Sequence, residues 1–219
     1  MATKDELLDL IKKEAIIGVV REETFETAEG VARAYADNGI RVIEITLTTP
    51  DAVELISQLA ALYNPIGVEI AAGSIRSRQQ ATEVHGAGAS ILVSPHTDSS
   101  VISYAMDNDL LCIAGAATPT EMINAWEAGA SIIKVYPARL LGGPAFIRTI
   151  RQPIRDLLML AGGPVEIDEI QPYLSAGAIA VNMAASLAPP DLVAAGNWGE
   201  IGERIAEARH VVDDWQNGA

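Results

Sequence analysis

A chain of 219 residues, 49% apolar and 20% charged, is long enough to bury a large core and too apolar to remain unfolded. Its formal charge of −14 excludes a nucleic-acid surface, whose phosphates demand a basic face, and obliges an anionic substrate to find local arginines or backbone amides. Arg76, Arg78 and Arg139 are the arginines to follow. The single cysteine, Cys112, excludes an intramolecular disulfide and, within LLCIAGA, reads as a small core residue. No apolar run reaches the ~18 residues of a membrane helix, and the N-terminus lacks an apolar signal core, so a soluble, cytoplasmic protein without a membrane partner is expected.

Taken in order, residues 1–14 form a charged amphipathic helix, MATKDELLDLIKKE. Apolar runs then alternate with helical stretches. AIIGVV (15–20) precedes a helix over 25–38, and VIEIT (42–46) precedes one from Pro50 to Tyr63. VEIAAG (68–73) leads into a helix over 77–85, and SILVSP (90–95) into one over 99–107. LLCIAGA (110–116) is followed by TPTE, a threonine-capped helix start. SIIKVYPA (131–138), LLMLAGG (157–163) with EIDEIQPYLSAG behind it, and AIAVNM (178–183) complete the set before a last helix over 198–213. Glycine recurs just before the next strand, in NGI at 38–40 and AGA at 87–89, 128–130 and 176–178, where a helix needs its left-handed cap. Eight apolar strands alternating with helices predict parallel pairing with helices outside. One α/β domain over residues 1–219, a (β/α)8 TIM barrel with an extra N-terminal helix, fits this length better than the alternative, an open doubly wound sheet.

In such a barrel the chemistry sits at the C-terminal ends of the strands. From the second strand onward those ends offer Glu44, Thr46 and Thr48; Gly73, Ser74 and Arg76; Ser94, Pro95 and His96; Thr118 and Pro119; Lys134, Tyr136 and Arg139; Gly162 and Gly163; and Asn182 and Met183. Two of these are charged residues inside apolar strands. Glu44 lies between Ile43 and Ile45, and Lys134 between Ile133 and Val135. A third, Glu69, sits earlier in its strand. The lysine is unusual on a second count. The chain has four lysines, and Lys4, Lys12 and Lys13 all belong to the first helix. If Glu44 and Lys134 both point inward they share a low-dielectric space in which either charge alone is costly. One reading is a structural ion pair. The other is an imine-forming amine with a carboxylate as proton shuttle, the imine serving as electron sink for a carbanion. The three histidines, His85, His96 and His210, fall on separate elements without a ligand-spaced carboxylate, so no metal and no cofactor are expected.

The blocks around these residues resemble a known family. GIRVIEITLTTP resembles G-I/V-R-x-I/L-E-I/V-T-L-R-T-P, and AAGSI resembles G-A-G-T-V/I. LVSPH resembles I-S-P-G, AGAATPTE resembles P-G-I/V-x-T-P-S/T-E, and IIKVYPA resembles F/L-K-F/L-F-P-A. In order and at matching spacing, these are blocks of the 2-keto-3-deoxy-6-phosphogluconate (KDPG) and 4-hydroxy-2-oxoglutarate (KHG) aldolases, a class I group on the (β/α)8 barrel. The resemblance implies a pyruvate-forming lyase with Lys134 as Schiff-base lysine, Glu44 as catalytic carboxylate and Ser74 where a threonine binds the substrate carboxylate. It also implies substrate contacts at Pro95, His96, Thr118, Gly162 and Gly163, a small 2-oxo acid as partner, and a homotrimer.

The departures from the family pattern concern the substrate. Thr48 stands where the family has an arginine that helps hold the pyruvate carboxylate, and Arg139 stands where it has a glutamate, so Arg139 is expected to supply the displaced cation. His96 replaces a glycine at the mouth. The phosphate cradle, P-T-G-G and G-G-S in the family, reads LAGG and NMAAS here, with Ala161, Met183, Ala184 and Ala185 at the altered places. That loss favours a short unphosphorylated diacid such as 4-hydroxy-2-oxoglutarate, with oxaloacetate decarboxylation through the same enamine. KDPG itself, held by backbone amides, is the alternative, and a barrel that binds a metabolite without catalysis is the remote one.

Overall fold

Inward and outward residues alternate along each strand, and the two faces of the sheet bury different partners. In the computed structural model, which describes residues 2–218, strands β1 (Ile16–Val20), β2 (Val42–Thr46), β3 (Glu69–Gly73), β4 (Ile91–Val93), β5 (Leu111–Ala116), β6 (Ile132–Val135), β7 (Met159–Ala161) and β8 (Ala178–Met183) pair in parallel, each with the next. β1 also pairs with β8, which closes the barrel.

Helices α2 (Phe25–Asp37), α3 (Ala52–Tyr63), α4 (Arg78–Gly86), α5 (Ser99–Asp107), α6 (Pro119–Glu127), α7 (Pro144–Arg151) and α8 (Ile170–Ala176) follow the first seven strands in turn. After β8 come α9 (Pro190–Ala195) and α10 (Trp198–Gln216). The outward strand residues pack under these helices in one apolar cluster that includes Tyr35, Leu59, Ile133 and Ile205.

The expected barrel is therefore the observed one, with differences at the edges. The sequence reading does not anticipate α7 and α9, which have 8 and 6 residues and follow LLGG and APP, stretches whose glycines and prolines read as loop. The third helix starts at Ala52 rather than Pro50, because Asp51 adopts a left-handed φ of 52° and interrupts the turn. No helix is long and apolar enough to cross a membrane among the described residues.

The barrel interior is filled from below. Inward residues of all eight strands, Ile17, Val42, Ala71, Ile91, Leu111, Ile132, Leu160 and Ala180, join a second apolar cluster with Leu7 and Ile11, to which β4 and β5 add Val93 and Ile113 one step higher. Those two belong to the N-terminal helix α1 (Lys4–Glu14), whose start is fixed by a capping box between Thr3 and Glu6. Spaced four residues apart, Leu7 and Ile11 face the same way and are 1% and 0% exposed, so α1 plugs the N-terminal end of the barrel. Burying two such side chains contributes about 1.5–3 kcal/mol each. Two residues further along the strands, the same inward rows carry Glu44, Gly73, Lys134, Gly162 and Asn182. The floor is apolar, and the chemistry begins one layer above it.

Cys112 on β5 lies in the outer cluster at 1% exposure, and burial pushes its thiol up to about 12. A thiolate-seeking reagent at about pH 8 should leave the native protein unmodified and titrate one thiol per chain after denaturation. Rapid labelling of native protein would contradict this packing.

Candidate active site

Lys134 and Glu44 meet on the barrel axis. Lys134 Nζ lies 3.5 Å from Glu44 Oε2, and the two residues are 8% and 1% exposed. The side chain of Asn182 also donates to Oε2, through Nδ2 at 2.6 Å. Two glycines make room for the pair. A Cβ at Gly73 would stand 2.6 Å from Glu44 Cγ and closer still to Oε1. At Gly162 it would stand 2.7 Å from both Cγ and Cε of Lys134. Neither distance is tolerable between carbons, so both positions require the absence of a side chain. Gly115, opposite Lys134 in the ladder, plays the same part for the loop after β4: a Cβ there would meet the Pro95 carbonyl and stand 2.6 Å from the His96 amide nitrogen.

A cavity of about 220 Å³ opens above Lys134, toward β1, β6, β7 and β8. Lys134, Tyr136, Gly163 and Asn182 line it, with Arg21 from the end of β1, Glu166 from the loop after β7, and residues Ala184 to Ser186 after β8. The Tyr136 ring centroid stands 5.8 Å from Lys134 Nζ, within reach of a cation–π contact. The Ser186 hydroxyl is not free to face a ligand, since it donates to the Val165 carbonyl at 2.7 Å. A wider groove of about 780 Å³ beside α3 contains Asp51, Glu54 and Glu83, an acidic lining unsuited to an anion.

Of the residues singled out from the sequence, Lys134, Glu44, Gly162 and Gly163 converge here. Ser74 follows Gly73 directly and holds a left-handed φ of 61°, which turns the chain sharply over the end of β3. Thr48 is exposed and its hydroxyl lies 3.0 Å from that of the buried Thr46. Pro95 packs its carbonyl over Gly115, and His96 is exposed, 3.3 Å from the Ser94 hydroxyl through Nδ1 and 3.8 Å from Asp98 through Nε2.

Thr118 and Arg139 have other partners in the structure. Thr118 caps α6: its hydroxyl accepts the Glu121 N–H at 3.3 Å, and Glu121 accepts in return the amides of Ala117 and Thr118, which hold its carboxyl below the usual range. Arg139 lies outside the cavity lining, half exposed, 3.7 Å from Glu166 and 3.5 Å from Glu169. It follows the end of β6 by four residues, in a loop that turns toward the start of α8, and those acidic side chains engage it instead of the barrel axis. The guanidinium that does line the cavity is Arg21. Arg78 pairs with Asp107 at 3.2 Å on the outer surface, and Glu69 takes the Ser90 hydroxyl at 3.0 Å at the start of β3.

Among the cavity residues outside the sequence-based site, Arg21, Tyr136 and Asn182 carry polar groups toward Lys134 or the cavity. Applying the strand-end rule to the first strand as well as the others would have found Arg21. Asn182 is the one polar residue of β8, and Tyr136 follows the lysine strand at the inward parity; both were visible as strand ends without a partner to give them a role.

A closed eight-stranded barrel with a lysine–carboxylate pair at the C-terminal ends of its strands defines a class of enzyme in which the strand ends hold the reacting groups. Comparison with known proteins narrows the class. The model of the KDPG and KHG aldolase family matches residues 7–204, so the chain belongs to that family and is an aldolase, a lyase. A 2-dehydro-3-deoxy-phosphogluconate aldolase of Treponema pallidum is 28% identical over 195 residues, covering 89% of this chain and 92% of the relative. A probable 2-dehydro-3-deoxy-6-phosphogalactonate aldolase of Rhizobium meliloti is 33% identical over 180 residues, covering 82% and 84%. The fold is shared with the crystal structure of KDPG aldolase from Legionella pneumophila, solved with pyruvate captured as a covalent carbinolamine intermediate; the TM-score is 0.82 at 23% identity, with 90% of this chain and 94% of that one aligned.

Proposed function

We propose that this aldolase cleaves a 2-oxo-4-hydroxy acid to pyruvate and an aldehyde through an imine on Lys134, with 4-hydroxy-2-oxoglutarate as the favoured substrate. The observation that carries the reading is the buried Lys134–Glu44–Asn182 cluster, of which Lys134 and Asn182 line a cavity with Glu44 directly behind them. Lys134 Nζ attacks the C2 carbonyl, and the carbinolamine loses water to give a protonated imine. Glu44 removes the proton of the C4 hydroxyl, the C3–C4 bond breaks, and its electron pair moves into the enamine. The aldehyde leaves, which is glyoxylate when the substrate is 4-hydroxy-2-oxoglutarate. Glu44 then returns its proton to C3, and water releases pyruvate from the imine. Oxaloacetate reaches the same enamine by losing carbon dioxide.

The family pattern gives the pyruvate carboxylate to Ser74, next to Gly73 and, like Thr48 and Pro95, beyond the residues that line the cavity. The distal end of the substrate meets Arg21. One exposed guanidinium matches one carboxylate, and the neighbourhood is poor for a dianion: Ala161, Ala184 and Ala185 bring no hydroxyl, Ser186 is engaged with Val165, and Glu166 adds negative charge. The second reading is a KDPG aldolase, favoured by the name of the Treponema pallidum relative and by Gly163, whose φ of 114° opens the backbone at the cavity wall.

Parallel kinetics on 4-hydroxy-2-oxoglutarate, oxaloacetate and KDPG test the choice. The expected result is the highest kcat/KM on 4-hydroxy-2-oxoglutarate, and dominance by KDPG would reverse it. In the same assay Arg21→Ala should raise KM about tenfold or more, the loss of a charge-assisted bond to a carboxylate. Arg139→Ala, which breaks only the contacts with Glu166 and Glu169, should leave KM within about twofold.

A further inference from the structure

The strand β8 reads Ala-Ile-Ala-Val-Asn-Met, and its one polar residue is 3% exposed. Half of that carboxamide is satisfied. Nδ2 donates to Glu44, while Oδ1 has no partner among the described residues. An orphaned buried acceptor costs stability, and a leucine of similar shape would suit an apolar strand better. Folding alone gives no reason for an asparagine here.

The satisfied half points to one. Glu44 Oε2 has two suitors, Lys134 Nζ at 3.5 Å and Asn182 Nδ2 at 2.6 Å. An unopposed ammonium–carboxylate contact closes to about 2.7–2.9 Å. The lysine contact is thus stretched and the amide contact closed. On its other side the carboxylate rests against the bare α-carbon of Gly73. Glu44 is clamped between the backbone of β3 and the side chain of Asn182, and is held back from the amine beside it.

We infer that Asn182 is a positioning residue: it keeps Glu44 from closing onto Lys134, so that the amine is free to reach a carbonyl carbon while the carboxylate faces the carbons of the bound chain. The inference rests on the reading of Lys134 and Glu44 given above. Asn182 acts through Glu44, which separates its role from packing.

The test is deuterium exchange into the methyl group of pyruvate, which needs imine formation and proton transfer but no second substrate. Asn182→Leu removes the donor and keeps the branched shape; Asn182→Ala serves the same purpose if the larger leucine does not fit. Exchange should fall about ten- to hundredfold while the melting temperature stays at or above that of the native protein. Combined with Glu44→Gln, either variant should be no more than about twofold slower than Glu44→Gln alone, because both changes remove one function. Exchange within about twofold of native in the single variant, or losses that multiply in the double one, would overturn the inference. Absence of exchange in the native protein would overturn the reading of Lys134 and Glu44 and this inference with it.

Discussion

Lys134→Met should lower aldol cleavage by about 10⁴-fold or more, the scale of losing a covalent catalytic group. Methionine keeps the unbranched stem that runs past Gly162, where no Cβ could be accommodated, so the wall of the cavity is retained. Glu44 keeps the Asn182 N–H as partner, so the carboxylate is not left bare. Lys134→Arg sharpens the result. A guanidinium preserves the positive charge beside Glu44 yet forms no imine under these conditions. A structural ion pair predicts an active arginine variant; imine chemistry predicts a dead one. The measurement is kcat/KM on the preferred 2-oxo acid, with circular dichroism to confirm the fold.

A second large effect is expected where no reacting group is replaced. Gly73→Ala places a methyl group inside the van der Waals envelope of Glu44, 2.6 Å from Cγ and nearer to Oε1. The strand itself accepts alanine, since Gly73 is not in the left-handed region and its neighbours on β3 are Ala71 and Ala72. The carboxylate must therefore move, and a displacement of about 1 Å at a reacting group costs on the order of a hundredfold in rate. Activity should fall by that factor while the fold is retained. Gly86→Ala is the control: it lies at the end of α4 with nothing within 4 Å of the added carbon, and should leave activity unchanged. Equal activity in Gly73→Ala would mean that the placement of Glu44 does not limit the reaction.

These two positions mark what sequence reasoning reaches. Lys134 and Glu44 were legible because each is a charge inside an apolar run, a pattern that core packing does not produce. The barrel was legible because eight apolar runs alternate with helical stretches and close with repeated glycine caps. Gly73 and Gly162 were visible only as strand ends. What makes them glycine is a side chain 29 residues away from one (73 − 44) and 28 from the other (162 − 134), and such spacing becomes contact only when the sheet closes. Asn182 shows the same limit, since its partner Glu44 is 138 residues earlier.

Arg139 is the converse case. A cation just beyond the lysine strand looks like a substrate anchor until its loop carries it to Glu166 and Glu169, while Arg21, on the neighbouring side of the barrel, lines the cavity. The short helices α7 and α9 escaped for a local reason. Both begin at glycines and prolines, LLGGP and APP, which read as loop, and the 6 residues of α9 carry too few turns for an apolar period to emerge.

Of the four lysines, Lys134 alone is expected to bond to substrate. Incubation with pyruvate and borohydride, followed by proteolysis and mass mapping, tests it directly. The expected result is a single reduced adduct on the peptide containing Lys134, absent from Lys134→Met. No adduct in the native protein, or labelling spread over Lys4, Lys12 and Lys13, would contradict it.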